Sequence, residues 1–169
     1  MKLLLAILPS HELQQQLNSF RKRFDPNYIK IPPHVQFYPS FTIEEKNLPT
    51  LITSLEDYFQ EKNPFILEIL RFSSLFPVTN LIYCKLTEDT FYKETNSFLE
   101  SLNYISRDET ESVQPLITIA SNLSNVEHAD LLGRIKLQPF CFTETVTTIS
   151  LFQQLDDFIW KEVTNFKLK

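Results

Sequence analysis

The chain opens on an unbroken apolar run, KLLLAIL, and turns polar only after it. Apolar residues without alternation over that length predict a strand buried on both faces. Ser10 follows as a helix cap. Leu13, Leu17, Phe20 and Phe24 then recur at helical spacing, with the basic triplet RKR at 21–23 on the other side. Pro26, Pro32 and Pro33 end that helix and start an extended stretch. HVQFYPSF alternates as a strand. A second helix is predicted over roughly 47–61, with Leu51, Ile52, Leu55 and Phe59 as its apolar face.

Two strands come next, PFILEILRFSS and NLIYCKL, joined by a turn at LFPVT. A helix over roughly 88–102 carries Phe91, Phe98, Leu99 and Leu102 inward. The polar, acidic stretch NYISRDETESVQ reads as a loop between two halves. The strand pattern returns at PLITIA. Ser124 and Glu127 form a capping box that opens a short helix, and the single glycine, Gly133, is expected to close it in a left-handed cap. Three strands finish the chain, at RIKLQPFCF, ETVTTISLFQQL and FIWKEVTNFKL. Helices mixed with adjacent strands predict an α+β fold with largely antiparallel sheet, in one domain over residues 1–169.

One pattern occurs twice. IPPHVQFYPSF at 31–41 and VQPLITIASNL at 113–123 align with Pro33 on Pro115, Val35 on Ile117, Phe37 on Ile119 and Phe41 on Leu123. Copies about 82 residues apart, each a proline followed by a strand, predict two pseudo-symmetric lobes flanked by helices, with a central groove between the equivalent strands. Alternation puts His34 and Gln36 on one face of the first strand, and Leu116 and Thr118 on one face of the second.

Composition narrows the function. The net charge of −5 argues against coating long nucleic acid, because phosphate neutralisation supplies most of that affinity. It leaves room for a small phosphate ligand held by a few local groups. Cys84 and Cys141 lie in strand-like runs and are expected to be buried, reduced thiols, which fits a cytoplasmic protein. They lack metal-site spacing, so no metal and no cofactor are expected. No stretch approaches the ~20 apolar residues of a membrane span. The apolar run Leu3 to Leu8 is too short for a signal peptide, and no small-residue cleavage site follows it.

The stretches ILPS, SFRKRFDPNY, IPPH, FSSLFPVTNLIY and NLSNVEHADLLGR resemble, in that order, those of a 2H phosphoesterase. That superfamily includes the RNA-ligase-like LigT proteins and cyclic nucleotide phosphodiesterases, and the resemblance points to its small bacterial YjcG-type branch. It implies two His-x-Thr (or Ser) motifs, one per lobe, facing a V-shaped groove. One histidine takes a proton from the attacking hydroxyl or water, the other gives one to the leaving oxygen, and the hydroxyls bind phosphate oxygens. Imidazoles suit this work because they titrate near neutral pH.

The chain departs from that pattern twice. Its first motif is His34-Val35-Gln36 and its second Leu116-Ile117-Thr118, so each copy lacks a different half. Leucine transfers no proton, and losing a general acid or base costs ~10²–10⁴-fold in rate. The expected function is therefore binding of a nucleotide or cyclic phosphodiester without efficient turnover. His34, Gln36, Leu116, Thr118 and Tyr38 are the candidate ligand-binding residues, and His34 and Thr118 the catalytic ones if chemistry remains. A protonated His34 beside phosphate would add a charge-assisted bond. The expected partner is a small nucleotide, a cyclic nucleotide or an RNA end.

Two alternatives stand beside it. One is weak hydrolysis of 2′,3′-cyclic phosphodiesters through His34. The other is a protein-interaction module that uses part of the fifteen phenylalanines as a surface patch. His11 and His128 are expected at surface helical positions, the RKR triplet on a solvated helix face, and Trp160 in the core near the C-terminal edge. Arg71 and Lys85 lie on predicted strands whose register the sequence leaves open.

Overall fold

The structure, a computed structural model, describes residues 1–111 and 114–169. Ser112, within the predicted loop, and Val113, the first residue of the second repeat copy, lie outside the described residues. Strand β1 (Lys2–Ile7) leads into helix α1 (His11–Phe24), capped by the Ser10 hydroxyl, which accepts from the Leu13 amide. Two very short strands follow, β2 (Val35–Gln36) and β3 (Phe41–Thr42). The expected continuous strand over 34–41 is thus broken. Pro39 has no N–H to give to a ladder, and the chain turns there.

A 3₁₀ turn (Glu45–Asn47) precedes α2 (Leu48–Gln60), which buries Leu51, Leu55 and Phe59. Strands β4 (Phe65–Ser74) and β5 (Ile82–Leu86) form a hairpin. Helix α3 (Thr90–Ser101) is capped by Asp89. The short β6 (Ser106–Arg107) lies within the predicted loop and pairs with β3, and β7 (Leu116–Ala120) carries the second copy of the repeat.

Helix α4 (Asn125–Ile135) opens with the expected capping box of Ser124 and Glu127. It runs further than the sequence pattern suggests. Leu131 and Ile135, four apart, continue its buried face, so residues 134–135 are helical and the next strand starts only at Phe142. Gly133 sits inside the helix and no glycine has positive φ, so the expected left-handed glycine cap is absent and Lys136 ends the helix. Cys84 is buried as expected, whereas Cys141 is exposed, because the segment before β8 is a surface turn rather than a strand.

Strand β8 (Phe142–Val146) pairs with β4, and β9 (Thr148–Gln154) pairs with β1 and with β10 (Trp160–Lys167). The stretch read as one strand, ETVTTISLFQQL, therefore breaks at Thr147, where the chain crosses from one half of the molecule to the other. The sheet order is β10-β9-β1-β2-β7-β5-β4-β8, and the described pairings are antiparallel.

The repeat is visible in this topology. In one half β1 leads through α1 to its neighbour β2. In the other, β5 leads through α3 to its neighbour β7. Strands β2 and β7 meet at the centre. Most phenylalanines fill the core, where Phe91 stacks on Phe59 and Phe65, and Phe37 packs edge-on against Phe91. Among the described residues no helix is long and apolar enough to cross a membrane.

Candidate functional site

A cavity of about 350 Å³ opens where the two halves meet, and His34 and Thr118 both line it. Its neighbour, of about 470 Å³, is lined by Gln36, Leu116, Glu111 and the 75–81 turn, with Thr118 and Gln36 shared by both. The register explains this division. Gln36 stands opposite Leu116 in the antiparallel β2–β7 pair. Position three of the first motif therefore faces position one of the second, and the same antiparallel sense directs the chain at His34 toward Thr118.

His34 arrives on a stiff lead. Pro32 and Pro33 fix φ on the two residues before it. Its Nδ1 lies 2.9 Å from the Pro32 carbonyl oxygen, which only accepts, so Nδ1 carries the proton and donates. Nε2 then keeps a lone pair. Burial above all, aided by the nearby Arg21 guanidinium and opposed by the Pro32 contact, brings the imidazole pKa down to about 4. His34 in the free groove is thus neutral at physiological pH.

Beneath it lies a buried ion pair. Arg21 Nε donates to Asp25 Oδ2 at 3.0 Å, one turn apart on α1, and both side chains are almost fully enclosed. Arg21 also donates to the Ile31 carbonyl at 3.0 Å and to Asn18 Oδ1 at 3.2 Å. Asp25 Oδ1 accepts from the Asn27 amide at 3.0 Å and from the Ser121 hydroxyl at 3.2 Å. One pair therefore ties α1 to the turn that delivers His34 and to the end of β7, just past Thr118. The basic triplet is split: Arg21, expected on a solvated face, is buried, and Lys22 and Arg23 are exposed. The sequence held a trace of this in the i,i+4 spacing of Arg21 and Asp25.

On the other side, the Gln36 amide donates to Glu111 Oε2 at 2.6 Å. The same oxygen accepts from the Ser40 amide at 2.8 Å, and Oε1 accepts from the Ser40 hydroxyl at 2.7 Å. Lys2 Nζ is 3.8 Å from Oε1. Glu111, Ser40 and Lys2 were not singled out from sequence, because nothing local relates residue 111 to residues 36 and 40. The Thr118 hydroxyl has no hydrogen-bond partner among the described residues.

Other expected positions fall elsewhere. Tyr38, a candidate ligand-binding residue, is 2% exposed and packs edge-on against Phe41 in the core, because the strand ends at Gln36 and the alternation that would have aimed Tyr38 at the groove does not continue. Leu116 is itself 5% exposed, so it closes its corner of the groove more than it offers a surface. Trp160 is half-buried: it packs against Leu4, Ala6, Ile31 and Phe152, yet lines the groove, which corrects its reading as a core residue. Phe158, exposed and at φ 63°, lines the same mouth, with Lys30 Nζ 5.8 Å from its ring centroid.

His128 is not on the surface. Its Nε2 is 2.6 Å from the Ser74 hydroxyl, and Phe76 stacks on its ring, so it pins the turn after β4. His11 is exposed and contacts Gln15. Arg71 and Lys85 face each other across β4 and β5, and neither lines the groove. Among the described residues no group of three His, Cys, Asp or Glu side chains is placed to hold a metal ion.

Comparison with known proteins decides the family. The family model of the 2′-5′ RNA ligase superfamily matches residues 9–157. The chain belongs to the 2′-5′ RNA ligase superfamily, the 2H phosphoesterases. It is 33% identical over 168 residues to a protein of Bacillus cytotoxicus, covering 99% of this chain and 97% of that one. It is 36% identical over 163 residues to a protein of Halalkalibacterium halodurans, covering 96% and 95%. Both carry the name "Putative phosphoesterase".

Solved structures share the fold. E. coli LigT complexed with 3′-AMP superposes with a TM-score of 0.71 at 12% identity, covering 99% of this chain and 98% of that one. A Thermus thermophilus protein superposes at 0.68 with 14% identity, covering 99% and 98%. At such identities the likeness concerns the α+β fold.

Proposed function

We propose that the groove binds a nucleotide or cyclic phosphodiester, with a phosphate held between His34 and Thr118, and turns it over poorly or not at all. The observation that carries this reading is the single imidazole in the groove: Leu116 stands where the resemblance places a second histidine, and His11 and His128 lie elsewhere. The Thr118 hydroxyl, without a hydrogen-bond partner among the described residues, supplies a donor, and Lys30 adds positive charge at the mouth. Trp160 and Phe158 supply aromatic faces for a base. Structures of E. coli LigT complexed with 3′-AMP, NADP+ and ATP support a small nucleotide as the ligand class. Unpaired thiols fit action in the cytoplasm.

The orientation of His34 favours one second reading, weak hydrolysis of a 2′,3′-cyclic phosphodiester. Its Nε2 lone pair suits a general base. Water would attack phosphorus while its proton passes to Nε2. The P–O bond to one ribose oxygen would break, and that oxygen would take its proton from bulk water, with no protein acid to help.

A thermal-shift screen against linear, 2′,3′-cyclic and cyclic-di-nucleotides, with the ligand analysed afterwards, separates the readings. A ligand at ~100 times its Kd adds about 2.7 kcal/mol to the native state. A shift removed by His34→Ala or Thr118→Ala, with ligand recovered intact, supports the binder. Consumed ligand, with activity lost in His34→Ala, moves the assignment to the weak enzyme. No shift across the panel rejects both and favours an interaction module.

A further inference from the structure

Glu111 fills a cradle made of donors. The Ser40 amide and hydroxyl, the Gln36 side-chain amide and the Lys2 ammonium converge on its two carboxylate oxygens, at 2.8, 2.7, 2.6 and 3.8 Å. Ser40 is 1% exposed, so its two donors are fixed by the turn between β2 and β3 and have little access to water. Lys2 enters from β1, and Gln36 from the centre of the groove. Three neutral donors aimed at a single point, with the Lys2 cation beside them and shared with Asp108 Oδ2 at 3.4 Å, are the chemistry of an anion site.

The carboxylate that occupies the cradle comes from far along the chain, 71 residues beyond Ser40 and 75 beyond Gln36. It also borders the cavity that Gln36 shares with His34 and Thr118. A phosphate offers the same oxygens with more charge, so the two compete for one set of donors.

We propose that Ser40, Gln36 and Lys2 form a second anion subsite in the groove, suited to a phosphate group, and that Glu111 closes it as a resident anion of the protein's own chain. The subsite itself stands apart from the nucleotide reading, whereas the ligand selection it implies rests on that reading. With Glu111 in place, the groove accepts one phosphate, at His34 and Thr118. A ligand with a second phosphate must displace Glu111 and gains little from it. Glu111 thereby selects for singly phosphorylated ligands.

Inorganic phosphate is the probe that tests this, titrated calorimetrically into the native protein, Glu111→Gln and Glu111→Ala. Glu111→Ala should bind phosphate at least ~10-fold more tightly than native, and Glu111→Gln, which keeps the side-chain volume without the charge, should gain in the same direction. The gain should shrink clearly when Gln36→Leu and Ser40→Ala remove the two side-chain donors, and persist in His34→Ala. No gain in either Glu111 variant overturns the proposal, as does a gain left undiminished by loss of the Gln36 and Ser40 side-chain donors. Should Glu111→Ala fail to fold, Glu111→Gln carries the test. Nucleotide binding by the native protein is read separately, so its failure would reject the groove reading and leave the subsite standing.

Discussion

Gln36 and Leu116 stand directly opposite each other where the two halves of the molecule meet. They are also the two positions that depart from the His-x-Thr pattern the chain resembles. His34 lines one cavity of the groove and Leu116 its neighbour, while Gln36 and Thr118 line both. A change that looks scattered along the sequence, about 80 residues apart, is a single local change in space.

Restoring both residues should restore chemistry. Gln36→Thr with Leu116→His replaces both departures, and turnover of a 2′,3′-cyclic nucleotide should rise by ~10²-fold or more over native. Leu116→His alone should gain less, since the opposing hydroxyl is still missing. Product chromatography measures it. Unchanged turnover in the double variant would show that the groove lacks more than these two side chains.

The pH dependence of stability should carry the mark of His34. Its pKa is about 4 in the fold against 6.5 for an unperturbed imidazole, so between these pH values the unfolded chain binds the extra proton. The stabilising effect of the neutral ring is present above pH 6.5 and lost as pH falls toward 4, by at most on the order of 3 kcal/mol. Urea midpoints for native protein and His34→Gln should run parallel above pH 7 and diverge below 6. Parallel curves over the whole of pH 4–7 would mean that the ring is far better solvated than the structure places it.

The Arg21–Asp25 pair should be costly to break and cheap to replace. Asp25→Ala leaves a buried guanidinium without its carboxylate and should cost about 3–5 kcal/mol. At ~2–4 °C per kcal/mol for a chain of this size, melting should fall by about 10 °C. Arg21→Met with Asp25→Leu should recover much of that stability. Nucleotide binding should stay weak in the double variant, because the hydrogen bonds to Ile31 and Ser121 that place the two sides of the groove are gone.

Trp160 offers a direct readout. It is the one tryptophan of the chain and it lines the groove. Titration with a nucleotide should change its intrinsic fluorescence along a saturable curve, and Thr118→Ala should move that curve to higher ligand concentration. A thermal shift without any fluorescence change would place the ligand away from the Trp160 side.

How much of this was legible follows the range of the interaction involved. Helix α1 was readable from Ser10, Leu13 and Leu17, because a cap and an i,i+4 stripe are local. The α4 capping box was readable for the same reason. The end of α4 was misread, since a lone Gly133 resembles a cap when tertiary packing of Ile135 is invisible. Tyr38 was misplaced because strand alternation predicts sides only while the strand continues, and here it stops at Gln36.

The sequence alone determined the α+β class, the order of most elements and the repeated motif with His34 and Thr118 intact, because these rest on periodicity and on residues near one another in the chain. Only the tertiary structure decided that Gln36 faces Leu116, that Arg21 is buried beneath His34, and that Glu111 occupies the donors of Ser40 and Gln36. Those relations join residues from separate segments. They come from the antiparallel register of β2 with β7 and from a loop folding back onto β3, and no local pattern along the chain encodes such a meeting.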